Sequence, residues 1–485
     1  MSCVTVIPEA WVAPNFCAYV VPVEIDQARS IRSVGTSDFI ALERGEQSVV
    51  YFYDSDGDGL ADSRQVLAEA SSLNHGIAIQ EGYLYASSST NVYRWPINET
   101  DFLQDVGDQE TVIYNINADG MGGAPFGHTT RTLEFDEEGR LYVSVGSNGN
   151  VDADSFRSRI RRFDWGNDTS VFPLDFLEGE VFADGLRNEV GLAFDRFGDL
   201  WGVENSADRL VRNDIGGDIH EDNPAEELNR FKEADKGKHW GYPQCWTEFL
   251  VPPPYGEGIG TVWAWPSFLE DGAITDDECR NNTVRPVMSL QGHSAPLGIT
   301  FYEWKDPADC PAACPPDVAF PKSMNGYAFM AYHGSWNRDV PTGYKVVYVE
   351  MDEYGDPIGE YPYDLLKHEP PDARWDDGFR PVDVSFDDCG RLLISSDGSR
   401  GDGYAGSKIV RMENTAPPPT ATPTNSASPS ISPSLSPSVQ FPRKSDQGDN
   451  NKNLGSSLSA SVSVMPRWLS TIVGVTVSLW LTFGG

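Results

Sequence analysis

The sequence predicts an all-β chain, a β-propeller of six or seven units, and three observations carry that expectation. One phrase recurs at long, even spacing. The apolar runs inside it are short and read as buried on both faces. Long helical patterns are absent. The phrase is FDEEGRLYVSVGSN from Phe135, FDRFGDLWGVENS from Phe194 and FDDCGRLLISSDGS from Phe386. Fainter copies are QEGYLYASSST from Gln80 and MNGYAFMAYHGS from Met324. Its Asp-x-x-Gly piece is a tight turn in which Gly supplies the positive φ that other residues resist. The runs that follow (Leu141 to Val145, Leu200 to Val203, Leu392 to Ile394) are strands, and small polar residues end them.

The anchor residue recurs at Leu84, Leu141 and Leu200, in steps of 57 and 59. Phe329 follows 129 residues later, about two steps, and Leu392 another 63 on. One unit of four short strands with its turns is a propeller blade. A sandwich would not need so regular a period. The copy missing between Leu200 and Phe329 is expected in the loop-rich stretch holding VWAW and GITFYEW. The expected organisation is an N-terminal segment over 1–19, the propeller over 20–414, a polar linker over 415–462 and a hydrophobic anchor over 463–485.

The tail changes character abruptly. TAPPPTATPTNSASPSISPSLSPSV is Ser/Thr/Pro-rich, buries no core, and is expected to be a disordered, O-glycosylated stalk. The chain closes on WLSTIVGVTVSLWLTFGG after small residues at Gly455 to Ser457, the pattern of a GPI-attachment signal. A tail-anchored helix is the alternative. Localisation at the cell surface follows, although MSCVTVIPEAWVAPNFCAYVV lacks the basic start and clean apolar core of a signal peptide, so a truncated start is expected.

Net charge is −37. Residues after Glu413 carry four basic and two acidic side chains, +2, which leaves −39 on the propeller. Such a surface repels nucleic acid and anionic membranes, so no nucleic acid is expected as a partner, and a membrane only through the C-terminal anchor. Among seven cysteines, Cys310 and Cys314 have no second Cys/His pair at zinc spacing. Proximity in sequence suggests disulfides Cys3–Cys17, Cys245–Cys279 and Cys310–Cys314, with Cys389 free. Asn98, Asn167 and Asn281 open N-x-T sequons, expected glycan sites in a secreted chain. YDSDGDGLAD starts like an EF-hand with Asp54, Asp56, Asp58 and Gly59. Its twelfth position is Gln65 where a bidentate Glu is needed, so a hairpin loop is the better reading.

Four of the seven histidines sit beside glycine at blade edges: His75, His128, His293 and His333. Each alone reads as a polar loop residue; together they can converge on one face. Arg187-Asn188, Arg338, Lys345 and Arg380 stand at comparable positions. A cationic ring inside so acidic a chain points to an anionic ligand, with local pairing to Asp as the alternative.

The stretches GHTTRTLEFDEEGRLYVSVGSNGN, GLRNEVGLAFDRFGDLWGVENSAD, NPAEELNRF, GKHWGYPQCW, HSAPLGITFY, HGSWNR and GFRPVDVSFDDCGRLLISSD, in this order, resemble the soluble glucose/sorbosone dehydrogenases, and among them the pyranose dehydrogenase-like subgroup. The resemblance runs from Val20 to Met412 and implies a six-bladed quinoprotein using pyrroloquinoline quinone (PQQ) and calcium (Ca2+) to oxidise an aldose, pyranose or keto-aldose. It makes His128 the base and Arg187 the group that polarises the quinone oxygen. It makes Asn188, His75, His333, Trp336, Arg338, Lys345, Trp375 and Arg380 the cofactor contacts. Backbone carbonyls of Ser206 and Ala207 become the metal ligands, in a loop that departs from the family's Gly-Pro. No cytochrome ligand pattern or carbohydrate-binding module is present, so the electron acceptor is expected to be external. The rival readings are a calcium-dependent propeller hydrolase or lactonase and a non-catalytic surface recognition propeller.

Overall fold

A computed structural model describes residues 7–116, 127–153, 157–370, 373–399 and 403–415. The linker and anchor expected over 415–462 and 463–485 lie outside these residues, except Thr415. So does Cys3, and with it the expected Cys3–Cys17 pairing.

Six sheets, each built on four antiparallel strands, form the blades. Blade 1 comprises Ala28–Ser33, Phe39–Glu43, Ser48–Tyr53 and Ser63–Glu69. Blade 2 comprises Leu73–Gln80, Tyr83–Ser88, Val92–Pro96 and Glu110–Tyr114. Blade 3 comprises Leu133–Phe135, Leu141–Val145, Arg159–Phe163 and Glu180–Asp184. Blade 4 comprises Glu189–Phe194, Leu200–Glu204, Glu226–Phe231 and Met288–Leu290. Blade 5 comprises Pro296–Phe301, Ala328–Tyr332, Lys345–Val349 and Tyr363–His368. Blade 6 comprises Pro381–Phe386, Leu392–Ser399, Ala405–Asn414 and, from the start of the chain, Phe16–Val20. The first strands touch in order around the ring, blade 6 against blade 1 included.

The repeated phrase has a physical explanation at every copy. In the turns, the carboxylates of Asp136, Asp195 and Asp387 accept backbone N–H groups of Arg140, Phe197 and Cys389, and Gly139, Gly198 and Gly390 take φ of 78°, 79° and 71°. The run that follows is a blade's second strand, covered on both faces because the next blade packs against each side. Leu84, Leu141, Leu200 and Leu392 all face the preceding blade, and Tyr85, Tyr142, Trp201 and Leu393 face the next. Period-2 alternation thus builds six inter-blade cores from six similar strands.

Three expectations are corrected. No copy is missing between Leu200 and Phe329. The VWA of VWAW lies in the small hairpin Cys245–Thr247/Val262–Ala264, an insertion in blade 4, and GITF lies in the first strand of blade 5. The sixth unit is blade 1, whose strand Phe39–Glu43 is fully buried but lacks the Asp-x-x-Gly signature. Residues before 20 belong to the propeller: Phe16–Val20 pairs with Ala405–Asn414 to close blade 6, and Ala10–Val12 adds a fifth strand to blade 5. Two disulfides lie wholly among the described residues, Cys245–Cys279, as expected, and Cys314–Cys389, leaving Cys310 free there and Cys389 bonded. Cys389 sits in the blade 6 turn against the long loop of blade 5, where Phe320 N donates to Gly390 O, so spatial neighbours overrode sequence neighbours. The DSDGDG stretch is a hairpin turn between the outer strands of blade 1.

Arg32 of blade 1 ties three of the first strands together. It reaches Asp383 of blade 6 at 3.0 Å and Glu134 of blade 3 at 3.4 Å. First strands begin and second strands end on one face of the ring.

Candidate functional site

That face holds a cavity of about 420 Å³ between blades 3, 4 and 5. Residues just ahead of the first strands supply His128, Arg187, Asn188 and His293. Loops leaving the second strands supply Asn150, Asn205, Ser206, Asp208, Arg209, Trp336 and Asn337. Glu226 comes from the third strand of blade 4.

His128 Nδ1 lies 3.1 Å from the carbonyl oxygen of Ser147 and 3.0 Å from its hydroxyl, which itself donates to Gly149 O. A carbonyl only accepts, so the imidazole proton sits on Nδ1 and the Nε2 lone pair is free. Burial, reinforced by the Arg187 charge, pushes the imidazole down to about 3 and keeps it neutral. Gly146 makes this approach possible: a Cβ there would stand 2.6 Å from the His128 Cβ and 2.5 Å from Asn188 Oδ1.

Arg187 is buried and held from several sides. Nε donates to Asn150 O, Nη1 to Asn205 O, and Nη2 to Asn150 Oδ1 and to Asp208 Oδ2, at 3.3, 3.0, 3.2 and 2.9 Å. Its backbone N donates to Glu204 Oε1 at 2.7 Å, and its carbonyl accepts from Ser147 N. Four of the guanidinium's N–H groups are used, and one on Nη1 remains for a ligand.

The other expected residues divide. Asn188, Ser206 and Trp336 line the cavity with His128 and Arg187, and Trp336 is 63% exposed. Ala207 borders only an adjacent void of about 20 Å³, which Ser206 also touches. Trp336, Trp375 and Arg380 border a neighbouring cavity of about 150 Å³ with Arg374 and Tyr344. Trp375 is buried there with its indole N–H on Tyr344 O, and Arg380 donates to His333 O and Gly334 O. His75 and His333 are buried in a separate network. Arg29 Nη1 meets Asp397 at 2.8 Å, Asp397 meets His333 Nε2 at 2.7 Å, and Arg29 Nε donates to His75 Nδ1 at 3.2 Å. Burial pushes His333 down to about 4.

Arg338 and Lys345 do not reach the cavity wall. Arg338 is spent on Asp222 Oδ1 and the carbonyls of Glu221 and Gly292. Lys345 pairs with Asp364 at 2.7 Å on the adjoining strand of blade 5. Local carboxylates capture both cations, the alternative already open in so acidic a sequence.

Sequence reasoning missed Asp208, Asn150, Glu226 and Asn337. Burial pushes the Glu226 carboxyl up to about 7, although His293 and the Ser206 N–H work against it. Asp208 is held low: His293 and Arg187 overcome the effect of burial. The signal was present in the small polar residues that end each repeat, GSNGN after Val145 and ENSAD after Val203. These are the loops that form the cavity.

A family model described as TrAA12-like matches residues 10–405. A protein of Hypocrea jecorina named pyrroloquinoline quinone-dependent sugar dehydrogenase is 32% identical over 353 residues, covering 67% of this chain and 72% of that one. One of Coprinopsis cinerea named pyrroloquinoline quinone-dependent pyranose dehydrogenase is 28% identical over 64% of this chain, and the chain spans 41% of its length. The calcium structure of the Trichoderma reesei family AA12 enzyme superposes with a TM-score of 0.71 at 28% identity, over 85% of this chain and 99% of that one. The holo form of the pyranose dehydrogenase PQQ domain from Coprinopsis cinerea gives 0.69 at 25%, over 85% and 99%. With a model match over most of its length and two such relatives, this chain belongs to the TrAA12-like family.

Proposed function

We propose that this chain is a PQQ-dependent sugar dehydrogenase that oxidises the anomeric hydroxyl of a pyranose or the aldehyde carbon of a keto-aldose. The observation that carries the reading is the His128–Arg187 pair. A neutral imidazole with a free Nε2 and a fixed guanidinium with one unused N–H line the same cavity. The wall suits both ligands. Asn337 lines this wall, and its buried Oδ1 has no hydrogen-bond partner among the described residues. Arg209 at the rim makes no ion pair among the described residues, and neither does Arg374 in the neighbouring cavity, so cations remain for a tricarboxylate.

When bound, PQQ supplies the quinone carbon that accepts hydride. His128 Nε2 takes the proton of the reacting hydroxyl, and the Nδ1 bond to Ser147 holds the ring while it does so. Arg187 presents its free N–H to an oxygen that gains negative charge. Trp336 offers an aromatic face at the mouth for the sugar ring. Asp208 and Glu226 on the same wall would repel a tricarboxylate. Ser206 and these two carboxyls would hold a calcium ion, whose charge would offset that repulsion. Among the described residues the preformed three-carboxylate group is Asp54, Asp56 and Asp58 in the blade 1 turn, not at the cavity.

Electrons pass to an external acceptor. Disulfides Cys245–Cys279 and Cys314–Cys389 and exposed sequons at Asn98, Asn167 and Asn281 support display outside the cell, with the C-terminal segment as anchor. Among the described residues no helix is long and apolar enough to cross a membrane. The test is dye reduction by the full chain with PQQ and calcium against aldoses, pyranoses and keto-aldoses, beside calorimetry of PQQ binding. Turnover that needs PQQ is expected. Absence of both turnover and PQQ binding sinks the reading.

A further inference from the structure

One carboxylate joins the two sides of the cavity. Asp208 Oδ2 accepts from Arg187 Nη2 at 2.9 Å, and its Oδ1 accepts from Asn337 Nδ2 at 2.7 Å, with His293 Nδ1 at 3.5 Å. Arg187 belongs to blade 4. Asn337 sits beside Trp336 on the loop that leaves the second strand of blade 5. The Asp208 backbone is clamped in turn by blade 3: its N–H donates to Asn150 Oδ1 and its carbonyl accepts from Asn150 Nδ2, both at 2.7 Å. The next residue, Arg209, is held at φ 62°, a conformation side chains resist. Three blades thus meet on one residue at the end of a repeat.

We propose that Asp208 is a positioning residue that locks Arg187 and the Trp336–Asn337 loop into one arrangement, so that the cofactor-side arginine and the sugar-side wall are set together. The proposal rests on the dehydrogenase reading of the cavity. Both of its oxygens must accept, because both partners donate. An amide at this position has one accepting oxygen and one donating nitrogen, so Asp208→Asn keeps the shape and must give up one tie. Asn337→Asp supplies the missing acceptor. In the double variant the new amide accepts from Arg187 and donates to the new carboxylate across the cavity, and the bridge is rebuilt with its donor and acceptor exchanged.

The experiment compares wild type, Asp208→Asn, Asn337→Asp and the double variant in kcat, sugar KM, PQQ affinity of the cofactor-free protein by calorimetry, and denaturation midpoint. Asp208→Asn is expected to lower kcat and PQQ affinity by about tenfold or more, the cost of a misplaced group in a preorganised site. The double variant should recover most of both. Values for Asp208→Asn within twofold of wild type overturn the proposal. So does a double variant that regains its midpoint but neither kcat nor affinity, which leaves Asp208 a merely structural residue. If wild type neither binds PQQ nor turns over, the functional reading fails by itself. The bridge is then judged by the midpoints alone: non-additive single effects uphold it and additive ones overturn it.

Discussion

His128 Nδ1 stands 3.1 Å from the Ser147 carbonyl oxygen, and that contact decides which ring nitrogen is left with a lone pair toward the cavity. With the proton fixed on Nδ1, Nε2 is the only basic atom the ring offers the cavity. His128→Ala should reduce kcat by about 10²–10⁴-fold, the range for a lost general base. PQQ affinity, measured by calorimetry, should stay close to wild type. Because burial and Arg187 hold the imidazole down to about 3, activity that depends on its neutral form persists on acidification until pH approaches that value. An acid limb in kcat/KM that lies near pH 6 and is unchanged in Glu226→Gln would contradict the assignment.

Glu226 titrates in the opposite sense. Burial raises its folded value to about 7 from an ordinary 4.5, so the folded state holds the proton more tightly than the unfolded chain. Its contribution to stability is complete below about pH 4.5 and is lost as pH rises through about 7. Buried neutral histidines such as His333 act in the reverse direction over part of this range, so the readout is a difference. Glu226→Gln should gain in melting temperature relative to wild type on going from pH 5 to pH 8. A difference that does not vary with pH removes the carboxyl as the titrating group.

Asp397 joins blades 1, 5 and 6 through Arg29 and His333, with all three side chains largely buried. These two partners, His333 first, hold its carboxyl well below the usual range against the effect of burial. Asp397→Ala leaves Arg29 without its counter-charge and should cost about 3–5 kcal/mol, measured by denaturant unfolding. A loss under 1 kcal/mol would mean the network does not tie the blades.

Phe16–Val20 closes the ring by pairing with Ala405–Asn414. A chain beginning at residue 21 leaves blade 6 with three strands and an exposed edge, a template for association. It should unfold well below the full chain and aggregate, as followed by light scattering on heating. Equal melting temperatures would show that the outer strand is dispensable. Trp336→Ala makes the contrast: the ring is mostly exposed, so sugar KM should rise while the melting temperature holds.

The propeller was legible because its cores are built from local alternation. Leu141 faces one neighbouring blade and Tyr142 the next, and the same step recurs at Leu84 and Leu200. Blade 1 stayed hidden because Phe39–Glu43 has the burial without the Asp-x-x-Gly turn. His128, Arg187 and Asn188 could be picked out since they lie next to the repeat and match a known family. Arg338 and Lys345 looked the same in sequence, yet Asp222 and Asp364 consume them, and only spatial neighbours reveal that.

By itself the sequence determined the all-β class, the propeller repeat and the core strand of each blade that carries the phrase, because turn chemistry and period-2 burial are properties of adjacent residues. Tertiary structure alone decided the rest: that Cys389 pairs with Cys314, that residues 16–20 complete blade 6, and that Asp208 bridges Arg187 and Asn337. Each of these is a contact between segments far apart in the chain. Such contacts are set by how the blades close into a ring, and no local pattern records that closure.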